Sequence, residues 1–467
     1  MNTLRFNQAL RQAAVASQDE RLPARWPVLL VRDIYGRIRF AVDAYRPQLQ
    51  DEDEIGQDQF EGPALPPEDQ VYPLTAYAIL KEATANLGNY ATSDDVLFRD
   101  DFFDPASLFE NRDWHETLVP AVEDADGVVH PELTVRLLDR QIVGQDWLRT
   151  EHERKLGAPP RVVFYGLKGG VGRSTALAML AYSFARAGKK VLLLDFDLES
   201  PGLSGLLLPA DRVAAFGLVD WFIEDGVHQG DSVLSDIVAD SPLAENTNGR
   251  IRIAAAMGQG ETAYLAKLAR VYADVPSATG PQRFAQRMER LVCALEAREL
   301  PDIVLIDSRA GLHDLAAISI STLADLALLF ATDSEQNWQG YQQLFAHWQQ
   351  RPDVLRGVRE RLWMVRAMFP ETEQKERFNA FLERSYDLFS ENLYDEINPA
   401  LAEPVNAFSY DLDSEAAPHY PLIVRWSARF MEFDPMEPAT RGGMSDTDID
   451  LAFGPFAKRV SSILFED

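Results

Sequence analysis

Apolar and polar positions change their period several times along the chain. Residues 162–167 (VVFYGL) form an apolar, partly β-branched run that meets a cluster of glycines, which predicts a buried parallel strand feeding a helix. Residues 175–187 are apolar nearly all round, as in a helix packed between a sheet and other helices. The alternation then continues, with strands expected at 190–194, 250–256, 326–331 and 362–368, and helices at 217–225, 282–297, 315–322 and 335–349. Another apolar run, 303–306, ends at Asp307. Such alternation implies an α/β fold with a doubly wound, mainly parallel sheet flanked by helices, and ligands at the carboxyl ends of the strands.

Residues 1–150 read differently, as an additional N-terminal accessory α+β region, and 151–467 as the sheet domain with a C-terminal helical extension. Stretches 26–32 and 37–42 are strand candidates about the turn Asp33-Ile34-Tyr35-Gly36, and Ile38, Phe40 and Val42 alternate with Arg37 and Arg39. That predicts a hairpin with one buried face. Residues 50–70, rich in Asp, Glu, Pro and Gly, are expected as an exposed loop, and 74–87 and 131–150 as helices. Acids and aromatics alternate over 98–116. There Asp100, Asp101, Asp104, His115 and Glu116 read either as metal ligands or as an acidic turn whose aromatics enter a small core, and their spacing follows no common ligand pattern, which favours the turn. The last stretch offers a helix at 371–393, four prolines (Pro418, Pro421, Pro435, Pro438) and a helix at 456–465. That last helix has Lys458 and Arg459 as its basic residues, so it is expected to dock on its own domain and not on anionic lipid.

The totals refine this picture. A chain of 467 residues calls for two or three domains, and 46% hydrophobic with 25% charged residues is ordinary globular composition. No apolar run approaches the ~18 residues of a membrane span. The first 20 residues lack a continuous apolar core, so no secretory signal is expected; the single cysteine, Cys293, reads as a small core residue. These features point to the cytoplasm. A net charge of −28 counts against nonspecific DNA binding.

Candidate chemistry sits in the turn Lys168-Gly169-Gly170-Val171-Gly172-Arg173-Ser174-Thr175. Its glycines let backbone N–H groups curl toward one point, and the following helix aims its positive dipole end there, an arrangement suited to anionic phosphates. The general pattern GxxxxGK[ST] is broken twice, by Leu167 at the first Gly and Arg173 at the Lys. The remaining KGGVG with its following Ser-Thr resembles the deviant phosphate loop of the ParA/MinD family of ATPases, marked by the extra Lys168. Asp195-Phe196-Asp197 is similar to that family's first switch, and 301–311, ending DSRAG, to its Walker B strand and second switch.

The resemblance implies ATP and Mg²⁺ as cofactors. It places Gly169, Gly170, Val171, Gly172, Arg173, Ser174 and Thr175 around the phosphates, Ser174, Asp195 and Asp307 at Mg²⁺, Asp197 at the attacking water, and Lys168 on the nucleotide of a dimer partner. Arg173 keeps the charge of the usual Lys but is planar and bulkier. Arg309 reads as a γ-phosphate contact or an ion-pair partner of Asp307 or Asp314, and His313 as a capping or surface residue. The leading reading is an ATPase that forms an ATP-dependent homodimer and controls a protein partner through the N-terminal region. The alternative is a nucleotide-binding sensor or scaffold with little or no hydrolysis, and the least favoured is a decayed site. Neither DNA nor membrane is expected as the partner.

Overall fold

The computed structural model describes residues 4–47, 66–91, 96–123, 127–277, 280–397, 407–426 and 445–465. The chain divides into two compact units, 1–145 with 349–351, and 146–348 with 352–467.

The first unit contains α1 (Phe6–Ser17), β1 (Leu29–Arg32), β2 (Ile38–Ala41), α2 (Leu74–Asn86), α3 (Ala106–Phe109), β3 (His115–Val119), β4 (Val122–Glu123), β5 (Val129–His130) and β6 (Leu133–Asp139). Four strands form a sheet in the order β2-β1-β6-β3. The expected hairpin is present: β1 and β2 are antiparallel, Gly36 adopts φ 82°, and Asp33 accepts hydrogen bonds from the Tyr35 and Arg37 amides, both at 2.9 Å. Ile38 and Phe40 enter a core with Ala9, Ala13 and Leu30. The helix expected at 131–150 is instead β6 followed by a short 3₁₀ turn. The period in that segment is two, since Val135 and Leu137 point inward between exposed Thr134 and Arg136. Helix α1 was not anticipated. In the acidic turn, Asp101 pairs with Arg46 at 2.9 Å, and Phe98 and Phe109 are buried. Among the described residues no His, Cys, Asp or Glu cluster is arranged to hold a metal. Most of the loop expected at 50–70 lies outside the described residues.

The second unit runs β7 (Arg161–Gly166), α4 (Arg173–Arg186), β8 (Lys190–Phe196), α5 (Leu203–Leu207), α6 (Leu218–Gly226), β9 (Val238–Asp240), β10 (Arg250–Ala254), α7 (Tyr264–Val271), α8 (Phe284–Glu299), β11 (Ile303–Ser308), α9 (Asp314–Ile318), β12 (Leu326–Ala331), α10 (Glu335–Gln349), α11 (Pro352–Val358), β13 (Leu362–Phe369), α12 (Gln374–Asn392), β14 (Leu422–Arg425) and α13 (Asp446–Phe465). Its eight strands lie in the order β14-β13-β12-β7-β11-β8-β10-β9, parallel throughout except for the antiparallel edge strand β9. Both faces are covered, which is why the central strands read as continuous apolar runs. Val162, Phe164, Leu193 and Leu305 pack beneath α4 and α13, while Val163, Tyr165, Leu194 and Ile306 pack beneath α8, α9 and α10.

Three expectations change here. Helix α13 begins ten residues before the expected 456, with Pro455 inside it; Ser445 and Asp448 exchange capping hydrogen bonds at its start (3.2 and 3.3 Å). Its Phe453, Phe456 and Val460 are buried against the sheet domain. Cys293 is exposed on α8 and is not a core residue. Strand β14 falls among the prolines, where no strand was expected. Among the described residues no helix is long and apolar enough to cross a membrane.

Candidate functional site

The apolar strand β7 delivers the glycine turn to the carboxyl edge of the sheet, flanked by β11 and β12. Gly170 and Gly172 adopt φ 76° and 77°, a left-handed conformation that side chains with a Cβ resist. Val171 between them is buried in the core beneath α4 and anchors the turn. Gly169 and Gly172 face open space, so the turn's backbone is accessible. Gly172 caps α4, whose first turn carries Arg173, Ser174 and Thr175. Lys168 is half-buried and makes no ion pair among the described residues.

On the neighbouring strands Asp195 and Asp307 stand side by side in register. Side chains from three elements meet there. The Arg173 guanidinium donates from Nε to Asp307 Oδ1 (2.6 Å) and from Nη2 to Asp197 Oδ2 (3.0 Å), and the Ser174 hydroxyl donates to Asp307 Oδ2 (2.7 Å). Arg173 is 7% exposed, and its Nη1 is buried without a partner among the described residues. Burial opposes its charge, but Asp307 and Asp197 outweigh that and raise its pKa. Asp195 is fully buried and accepts from the amides of Asp197, Gly202 and Leu203 (3.3, 3.3 and 3.2 Å). Burial and the adjacent Asp307 push its carboxyl up to about 8. Asp197 is also raised, by burial and Asp307 against the pull of Arg173. Arg173, Ser174, Asp195, Asp197 and Asp307 are thus joined by direct contacts, and the other predicted site residues lie in the same turn.

The Arg309 guanidinium is held by Glu199, a partner the sequence did not suggest. Glu199 also accepts the Tyr272 hydroxyl and lies 3.8 Å from His313 Nε2. His313 caps α9, accepting from the Leu315 amide at 3.2 Å, in line with the expected capping role. Burial and Arg309 lower its pKa. Tyr264, at the start of α7, donates to the Leu198 carbonyl at 2.6 Å. Sequence reasoning gave no role to Glu199, Tyr264 or Tyr272. The signal was the short amphipathic stretch 264–271 with a tyrosine at its start and another just past its end.

Glycine turn, helix start and paired acidic strand ends are the parts of a nucleotide site. Residues 162–354 match the family model described as the CobQ/CobB/MinD/ParA nucleotide binding domain. The match leaves more than half of the chain outside it. A comparison of the sequence with curated proteins found no match. Among solved structures, the chain is similar to a ParA family ATPase from Chlorobium tepidum TLS (16% identity, 49% of this chain and 81% of that chain, TM-score 0.35). It is also similar to Cyanothece McdA in complex with ATP (15%, 66% and 96%, TM-score 0.40) and to the MinD cell division protein of Aquifex aeolicus (14%, 65% and 97%, TM-score 0.38). The matched segment carries the glycine turn and both aspartates and lies in the unit built on the large, mainly parallel sheet.

Proposed function

We propose that this protein is a Mg²⁺-dependent, ATP-binding and ATP-hydrolysing molecular switch of the ParA/MinD type. The observation that carries the reading is the convergence of Ser174 and Arg173, at the start of α4, on the Asp307 carboxylate. The residues fit the absent groups. Residues 169–175 would surround the phosphates, and the buried, unpartnered Nη1 of Arg173 is a donor that a phosphate oxygen would satisfy. Ser174, Asp307 and Asp195 would hold Mg²⁺, which neutralises charge on the phosphate oxygens. Asp197 would orient the attacking water. Lys168, which makes no ion pair among the described residues, would reach the nucleotide of a second copy in an ATP-dependent homodimer. Residues 1–150 would contact a protein partner, and the site of action would be the cytoplasm; the charge of −28 disfavours nonspecific DNA and anionic membranes.

One observation favours the sensor alternative. Arg173 ties up Asp197, the carboxylate assigned to the water, and would hold hydrolysis back if the pair persisted with ATP bound. Calorimetry and phosphate release with ATP, with and without Mg²⁺, test both. Binding with turnover supports the switch, and binding without turnover supports the sensor. No ATP binding overturns both.

A further inference from the structure

Two loops leave the sheet side by side behind the paired aspartates. Asp195 and Asp307 are register partners on β8 and β11, so the loops that follow them emerge as neighbours. Glu199 comes from the first loop and Arg309 with His313 from the second. The Glu199 carboxylate holds the Arg309 guanidinium and the Tyr272 hydroxyl through Oε1, while its Oε2 is buried without a partner. Charge-assisted contacts of this kind are among the stronger hydrogen bonds, and they are stronger still when partly shielded from water. Glu199 is 23% exposed at its side chain.

Helix α7 is bound to the same place. Val271 is its one buried residue, Leu268 is partly buried against the same core, and Leu265 is 79% exposed, so apolar packing holds only one side of the helix. Tyr264 and Tyr272 instead fasten its two ends to consecutive residues of the first loop, Leu198 and Glu199. Lys267 adds ion pairs to Asp220 and Glu261.

We propose that Glu199 is a positioning residue that makes the two loops and α7 respond to nucleotide as one unit. The proposal rests on the nucleotide reading above. A phosphate that draws Arg173 from Asp197 moves the first loop at residue 197, and Glu199, two residues on, carries that movement to Arg309 and to α7. The coupling is energetic: whatever favours one arrangement of the first loop favours one arrangement of its partners. Without the Glu199 charge the loops answer separately.

Hydrogen exchange on the full chain, with and without Mg·ATP, tests this. In the wild type, ATP should slow exchange at 168–175, 197–203, 308–313 and 264–272. In Glu199→Gln, protection of 168–175 should remain while the responses of 308–313 and 264–272 are lost. Unaltered responses in the variant overturn the proposal, as does a wild type in which 168–175 responds and 308–313 does not. A wild type with no protection at 168–175 overturns the nucleotide reading and the coupling together. Should Glu199→Gln loosen the whole domain, Tyr272→Phe, which removes a single hydroxyl, decides: loss of the α7 response with 308–313 still protected supports the proposal, and an unchanged α7 response overturns it.

Discussion

Two buried arginines bracket β7, Arg161 at its start and Arg173 beyond the turn at its end, and they are satisfied to different degrees. Every guanidinium nitrogen of Arg161 has a partner: Nε and Nη2 grip Glu296 at 2.7 and 2.9 Å, Nη1 takes Glu289 at 2.6 Å, and Nη2 also reaches the Cys293 sulfur at 3.3 Å. Burial opposes its charge and the two glutamates more than offset this, raising its pKa. Arg173 is nearly as buried but keeps Nη1 empty. A saturated guanidinium fixes a framework, whereas one with a spare donor in a carboxylate-rich site is poised to accept an anion.

The largest expected effect tests the framework half. Arg161→Met leaves Glu296, which is 9% exposed, without its main partner, and breaking a buried pair from one side costs about 3–5 kcal/mol. Arg154, 3.4 Å from Glu296, should hold the loss near the lower end of that range. Urea unfolding measures it, and adding Glu296→Leu should restore most of the stability. A loss under ~1 kcal/mol for Arg161→Met alone would erase the contrast.

Arg173→Met should show the opposite balance. Its stability cost should be smaller than that of Arg161→Met, whereas Mg·ATP affinity should fall about 10- to 100-fold, the worth of one hydrogen bond to a charged group. Calorimetry and the same unfolding curves decide; a variant that unfolds readily yet binds as well as the wild type would reverse the roles.

The sequence showed one of these arginines and hid the other. Arg173 stood out because it takes the Lys position of a glycine turn, and the family resemblance implied a place for it at the phosphates; its contacts with Asp307 and Asp197 came from the structure. Arg161 drew no reading, because its partners lie well over a hundred residues away on α8 and no local pattern joins them. The same limit hid the Glu199 pair with Arg309, which depends on the register of two strands. The central strands were legible since they are apolar on both faces, but β6 was misread: Val135, Leu137 and Leu138 fit a helical stripe as well as a strand face until the pairing with β1 is known. Pro455 hid the first half of α13 for a comparable reason, since burial of Phe453 and Phe456 outweighs the single hydrogen bond that proline removes.

Ser174→Ala sharpens the Arg173 side at lower cost. Asp307 loses the hydroxyl at 2.7 Å but keeps the guanidinium at 2.6 Å. Affinity for ATP in the presence of Mg²⁺ should fall about tenfold, roughly 1.5 kcal/mol. Affinity without Mg²⁺ should hold steady, because the hydroxyl is assigned to the metal. An equal loss under both conditions, read by calorimetry, would move Ser174 from the metal to the phosphates.

The smallest effect belongs to Cys293, the peripheral member of the Arg161 cluster. Its thiol donates to Glu289 at 3.1 Å and touches Arg161 Nη2 at 3.3 Å, yet the residue is exposed and sulfur is a weak partner. Partial enclosure and the Glu289 carboxylate push the thiol pKa up, which keeps it protonated and a poor nucleophile near neutral pH. Cys293→Ala removes neither carboxylate, so Arg161 keeps its grip on Glu296 and Glu289. The unfolding midpoint should therefore move by less than ~0.5 kcal/mol in stability, and the wild-type thiol should react with a disulfide reagent more slowly than free cysteine at the same pH. A loss comparable to that of Arg161→Met would show that the sulfur, and not the pair of glutamates, completes the framework around Arg161.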